Sequence, residues 1–414
     1  MKRDPLAGAE LLARLDALAS VSEQPDKLMR RFLTQEHGRA NALVGRWMQE
    51  AGMSVRVDAI GNVIGRVEGV SPGLPALLLG SHLDTVVDAG RYDGMLGVVT
   101  AIACVDDLRA QALRLPFAIE VVGFADEEGT RFGATLLGSR ALAGSFDESV
   151  LERLDPAGMS MAEALVRFGL DPTKIGTAAR RRGDFHAYLE LHIEQGPVLE
   201  AAGLAVGAVT AINGATRLAV TVTGVAGHAG TVPMTDRRDA LAAAAECILL
   251  VERLAGAEPD LVGTVGRIEA VPGAVNVIPG EVRFTLDLRA PDDARRMAAE
   301  ADLGAGFAAI AQKRAVTIVA TRTHEAAATP CAPWLIDRIA SAIAAEGQAP
   351  RRLPSGAGHD GMAMAAMTDI GMIFVRCRGG ISHNPAESIT AEDAETGARV
   401  LARFIRDFQP GAST

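Results

Sequence analysis

Eight histidines occur in the chain, at positions 37, 82, 186, 192, 228, 324, 359 and 383. Four of them stand beside a carboxylate, glycine or amide in polar stretches that close apolar runs. Gly80-Ser81-His82-Leu83-Asp84-Thr85 follows the apolar run 76–79. An extended backbone there turns His82 and Asp84 to the same side. A carboxylate bonded to the imidazole N–H opposite a metal fixes its tautomer and orientation; a core histidine satisfied by a local aspartate is the plainer alternative. Tyr92-Asp93-Gly94 precedes an apolar helical run. Asp93 reads there either as a helix cap or as a carboxylate shared by two metals. Asp126-Glu127-Glu128-Gly129 directly follows the apolar run 118–124. Three carboxylates at a buried strand end are costly unless a cation neutralises them, which outweighs a solvated acidic loop. Leu189–Gly196 alternates, so Glu190, His192 and Glu194 share a face. Ser382-His383-Asn384-Pro385-Ala386-Glu387 follows a strand-like run at 372–376. Each cluster is ambiguous alone. Five at strand ends fit one site, because sites in α/β sheets collect at the carboxyl ends of strands.

Histidine and carboxylate donors without thiolate suit zinc, manganese or similar ions. Two such ions roughly 3.5–4 Å apart can share a carboxylate and a water. A nearby carboxylate that is not a ligand can take the water proton and pass it to a leaving nitrogen. The chemistry expected is metal-dependent hydrolysis.

The elements that must position these residues follow from periodicity. The 414 residues imply about two to three domains. A hydrophobic share of 49% allows large cores, and an aromatic share of 4% means that Ala, Val, Leu and Ile build them. Helical periodicity runs over 6–19, 35–51, 94–108, 334–346 and 393–407. Strands are expected at 55–57, 63–67, 76–79, 118–124 and 372–376. The middle differs: strand 217–223, helix 236–254, strands 261–269 and 281–289, helix 291–313 and strand 315–322. That order is β-α-β-β-α-β. The expected architecture is α/β, a mixed and mostly parallel sheet with helices on both faces, interrupted by a smaller α+β lid and dimerisation domain. The catalytic domain is 1–212 plus 330–414, and the insert is 213–329.

Composition excludes some functions. The net charge is −10 and no basic stripe is present, which argues against nucleic acid. No apolar stretch approaches the roughly 20 residues that span a bilayer. The start, Met1-Lys2-Arg3-Asp4-Pro5, lacks the apolar run of a signal peptide, so the cytoplasm is the expected location. Cys104, Cys247, Cys331 and Cys377 are far apart and form no CxxC pattern.

The combined motifs resemble the M20 metallopeptidase-like clan and, within it, the hydantoinase/carbamoylase branch. That branch holds N-carbamoyl-L-amino acid hydrolases, β-ureidopropionases and allantoate amidohydrolases. The resemblance covers nearly the whole chain. It implies that His82 and His192 bind one metal, that Glu128 and His383 bind the other, and that Asp93 bridges. Glu127 would be the general base and Asp84 the support of His82. His192 stands where many peptidases of the clan carry aspartate, and His-Ile-Glu-Gln-Gly is typical of the ureido-hydrolysing branch. The resemblance further implies substrate contacts from Gln195, Asn276, Arg289 and His359. It implies a homodimer in which His228, in Gly227-His228-Ala229-Gly230, reaches the partner subunit's site and stabilises the oxyanion. Without the resemblance, His228 and Asn276 read as turn residues, Arg289 as a surface arginine and His359 as a loop residue. Arg217 and Arg376 are left unplaced as possible second anion contacts. Overall similarity around 90–98 and 120–144 favours allantoate as substrate, with N-carbamoyl-L-amino acids second. A non-catalytic binding protein on this fold would have no need of Glu127 and all five ligands.

Overall fold

A computed structural model describes residues 4–410; Met1-Lys2-Arg3, part of the stretch read for a leader, lies outside them. The chain divides into two compact units. One contains the residues up to Thr210 and those from Cys331 onward, and the other is Ala211–Pro330.

The larger unit is built on a nine-stranded sheet. Its order is Ser54–Val57, Val63–Val67, Ala118–Phe124, Ala76–His82, Phe185–Ile193, Ile370–Val375, Val206–Ile212 and Thr329–Pro330, with Arg351–Ser355 also paired to Val206–Ile212. The four central strands, from Ala118–Phe124 to Ile370–Val375, run parallel. Ala76–His82, Ala118–Phe124 and Ile370–Val375 are buried at every position. A parallel sheet covered on both faces demands such continuous apolar strands. Helix Met95–Ala110 is buried over nearly its whole circumference beside them, which explains its lack of a polar face.

The sheet is not mostly parallel as expected. Its flanks are antiparallel at Ser54–Val57 with Val63–Val67, Val63–Val67 with Ala118–Phe124, and Ile370–Val375 with Val206–Ile212. Connection length explains the first pair. Only residues 58–62 join those strands, and the Asp58 carboxylate accepts the N–H groups of Ile60, Gly61 and Asn62 at 2.9–3.1 Å. So short a link reaches only an antiparallel neighbour.

In the inserted unit the strands run Ile268–Val271, Glu281–Ala290, Gly214–Thr223 and Thr317–Ala326, all antiparallel. Buried residues of Ala240–Ala257 and Asp293–Arg314 form one core with the inward side chains Leu218, Val220, Val222, Phe284 and Leu286. The single strand expected at 261–269 is two. Val262–Thr264 and Ile268–Val271 both pair with Glu281–Ala290. Between the Thr264–Asp287 and Ile268–Phe284 pairs, residues 265–267 stand opposite only 285 and 286. The extra residue bulges and breaks the ladder. No helix among the described residues is long and apolar enough to cross a membrane.

Candidate metal centre

The larger unit gathers its polar residues at the carboxyl ends of the central strands. His82 ends Ala76–His82 and pairs with Phe124. Asp126, Glu127 and Glu128 follow Phe124 in sequence. His192 lies one residue before the end of Phe185–Ile193. Asp93 precedes helix Met95–Ala110, and His383 lies in the loop after Ile370–Val375.

These side chains converge. Asp93 Oδ1 lies 3.5 Å from His82 Nε2 and 3.1 Å from His192 Nε2. Asp93 Oδ2 lies 3.2 Å from His383 Nε2, which is 3.4 Å from Glu128 Oε1. One carboxylate thus turns an oxygen to each of two groups, His82 with His192 and Glu128 with His383. Within each group, Asp93 included, the donor atoms lie within 4.8 Å of one another. His383 is half exposed; His82, His192 and Asp93 are buried.

Local hydrogen bonds orient the donors. His192 Nδ1 donates to the Ile193 carbonyl at 2.9 Å, and its Nε2 accepts from Gly94 N at 3.1 Å. His82 Nδ1 donates to the Asp84 carbonyl at 3.1 Å. Both histidines therefore turn Nε2 toward Asp93, the nitrogen left for a metal once Nδ1 is engaged as a donor. Asp84 supports more than His82. Its carboxylate, 3.5 Å from His82 Nδ1, accepts from the backbone N–H of Glu127 at 2.9 Å and of Glu128 at 3.1 Å. The one residue ties the His82 strand to the acidic turn. Gly94 has φ +74° and ψ −52°, and a Cβ there would stand 2.5 Å from the His82 ring.

The electrostatics call for a cation. Asp93, Glu127 and Glu128 have no Lys or Arg ion-pair partner among the described residues. Burial pushes the Glu128 carboxyl up to about 7, against the opposing charge of His82. Burial also raises Glu127 well above the usual carboxylate range, and the neighbouring charges of Glu128, Asp360 and Asp84 add to it. Several carboxylates sharing one buried site cannot all ionise without a compensating charge. The donor set, nitrogen and carboxylate oxygen without sulfur, fits divalent zinc or manganese.

The remaining expected residues fall in different places. Gln195, at a left-handed φ of +57°, donates from Nε2 to Asp93 Oδ2 at 2.8 Å and to Ser382 Oγ at 3.1 Å. Its amide is directed at the shared carboxylate. His359 is buried, with Nε2 2.7 Å from Ser355 Oγ and its ring centroid 4.5 Å from that of His192; it backs a donor histidine. His228 and Asn276 belong to the inserted unit. There Gly227–His228 pairs with Val277–Ile278, and Ala229 N donates to the Asn276 carbonyl at 3.0 Å. Arg289 bonds Asp287 at 2.8 Å, as does Arg217 at 3.0 Å. Arg376 pairs with Asp393 at 2.7 Å.

Sequence reading assigned nothing to Glu190 or Glu387. Glu190 accepts from Ser81 Oγ at 2.7 Å beneath the site. Its alternation with His192 carried that signal. Glu387 reaches the Asp93 turn from 294 positions away in sequence, which no spacing rule could detect.

Residues 78–407 match the model of peptidase family M20/M25/M40. The chain is 44% identical over 407 residues to the N-carbamoyl-L-amino acid amidohydrolase of Geobacillus stearothermophilus, covering 98% of this chain and 100% of that protein. It is 43% identical over 429 residues to the allantoate deiminase of Arabidopsis thaliana, covering 96% and 81%. A crystal structure of an amidase of the hydantoinase/carbamoylase family from Burkholderia multivorans matches with a TM-score of 0.91 at 36% identity, covering 97% and 98%. The chain belongs to peptidase family M20/M25/M40, in its hydantoinase/carbamoylase branch.

Proposed function

We propose that this chain is a binuclear metal-dependent amidohydrolase that cleaves the linear ureido C–N bond of a small carboxylate-bearing substrate, allantoate before N-carbamoyl-L-amino acids. The observation that carries the reading is the division of Asp93. Its two oxygens face separate donor groups, while Glu127 stands beside them with a raised affinity for a proton. His82, His192 and Asp93 would hold one divalent ion; Asp93, Glu128 and His383 would hold the other. Such ions polarise a carbonyl and make water nucleophilic near neutral pH.

The chain's own residues do the rest. Glu127 takes the proton of the attacking water and delivers it to the leaving nitrogen. Water and the ureido group then yield ammonia, carbon dioxide and the free amine. Asp84 holds Glu127 in place through the backbone N–H. Gln195 holds Asp93 and, from the same position, borders the substrate. His359 acts beside His192 at the pocket wall. The inserted unit supplies recognition, as lid and dimerisation domain. Asn276 and Arg289 bind the substrate, with guanidinium matched to carboxylate by paired hydrogen bonds. In a homodimer, His228 of the partner subunit would neutralise the developing oxyanion. The four cysteines are buried and free, in keeping with a reducing cytoplasm.

The alternative substrate has its own support in the 44% identity to an N-carbamoyl-L-amino acid amidohydrolase over that protein's whole length. Ammonia release from allantoate and from a panel of N-carbamoyl-L-amino acids, with metal-loaded protein, separates the two. Higher kcat/KM on allantoate is expected; a clear preference for the carbamoyl compounds would replace it as the substrate.

A further inference from the structure

The turn that presents Asp93 is held from outside. Its helix, Met95–Ala110, begins at Gly94, and the amides of Tyr92 and Asp93, which precede that position, need buried acceptors of their own. Glu387 provides them. Its Oε1 accepts from Tyr92 N at 2.8 Å and from Asp93 N at 3.2 Å. Its Oε2 lies 3.0 Å from Ser382 Oγ, and that hydroxyl stands 2.8 Å from Asp93 Oδ2. The Glu387 carboxylate therefore grips the Asp93 turn at its backbone and lies beside Ser382, whose single hydroxyl hydrogen is within reach of both Glu387 and the Asp93 oxygen that faces His383. It is 3% exposed and lodged against Gly90, where a Cβ would come within 2.1 Å of its carboxyl carbon. Gly90 leaves the space that Glu387 fills. Its own loop carries His383, so one side chain sets the distance between two of the proposed ligands.

The geometry points to Glu387 as the positioning residue of the shared carboxylate, acting through hydrogen bonds and touching neither substrate nor reacting atoms. This rests on the metal-centre reading above. Outer partners of metal ligands typically govern affinity by 10–100-fold, and here one partner serves the ligand common to both ions.

The test is the zinc and manganese affinity of Glu387→Ala, Glu387→Gln and Gly90→Ala, by chelator competition, with circular dichroism to verify folding. Glu387→Ala should lose about 100-fold in affinity for both ions. Glu387→Gln should stay within about fivefold, since its amide oxygen still accepts from Tyr92 and Asp93 and its amide N–H can donate to Ser382. Gly90→Ala should behave like Glu387→Ala, because its methyl group takes the carboxyl's place. Wild-type affinity in a folded Glu387→Ala or Gly90→Ala overturns the inference. So does a Glu387→Gln as weak as the alanine variant, which would make charge rather than hydrogen bonding the cause. If Glu387→Ala does not fold, the other two variants decide in the same way. A wild-type chain that holds neither ion would contradict the metal-centre reading instead.

Discussion

Gly94→Ala places a methyl group where the structure has no room for one. The Cβ would stand 2.5 Å from Cε1 and Nε2 of His82. Ordinary contact begins near 3.5 Å, so ring or turn must move by about 1 Å. The turn resists, because Gly94 N is bonded to His192 Nε2 and Glu387 holds the two preceding amides. The ring resists through its bond to the Asp84 carbonyl. Backbone strain adds to the collision, since φ +74° with ψ −52° is the strained γ-turn region. That conformation costs a residue with a Cβ about 1–3 kcal/mol, and overpacking costs about 1–3 kcal/mol more. A displacement of about 1 Å at a reacting centre lowers turnover about 100-fold. The expected variant is less stable by about 2–6 kcal/mol in urea unfolding and binds zinc more weakly. Its ammonia release should fall about 100-fold. Wild-type stability together with wild-type zinc affinity would refute the packing argument.

Two further predictions concern the larger unit away from the metal centre. His37 is fully buried, and Leu33 N donates to its Nδ1 at 3.0 Å; burial, the largest cause, pushes its pKa down to about 4 from 6.5. A depressed histidine favours the fold above the unfolded value, so its contribution should be present above pH 6.5 and be lost as pH falls toward 4. The loss is about 3 kcal/mol, and the fall in urea-unfolding free energy over this window should be shallower in His37→Phe; an unchanged slope would clear His37 of the effect. Glu120 is buried between Arg56, Arg66 and Arg180 at 2.9–3.4 Å. Burial raises its pKa, but the hydrogen bonds and charges of Arg180 and Arg66 and the charge of Arg56 outweigh this and hold it low. Glu120→Gln should cost about 2 kcal/mol in urea unfolding, less than a wholly buried pair because the arginines reach solvent, with KM unchanged; an unaltered midpoint would contradict this.

Of the four central strands, Ala76–His82, Ala118–Phe124 and Ile370–Val375 were legible because strands buried on both faces must be apolar throughout. Phe185–Ile193 was not expected as a strand, its apolar residues being interrupted by His186, Glu190 and His192. The sheet's edges were less legible, since pairing direction there depends on connection length. Ala76–His82 continues past the apolar run to its terminal histidine, its polar end paired with Gly123 and Phe124, where composition alone suggested an earlier stop. The grouping of His82, Asp93, Glu128, His192 and His383 was legible because each follows or ends a buried strand, or opens a helix, and the chemistry tolerates few residue types. The direction of a side chain was not. Gln195 turns to Asp93 because of a left-handed backbone that nothing in its neighbours announced. Glu387 acts through a contact between two loops, and only folding brings 387 beside 90–93. The bulge opposite 285 and 286 escaped notice because the run 261–269 keeps strand-forming residues on both sides of it.

Ammonia release by Glu127→Gln, loaded to the same metal content as the wild type, tests the central claim most directly. A general base of this kind is worth about 10²–10⁴-fold, and the amide is isosteric but cannot take a proton. The account predicts unchanged metal content and turnover on allantoate and N-carbamoyl-L-amino acids reduced by about 1,000-fold. Turnover near that of the wild type, at equal metal content, would contradict it.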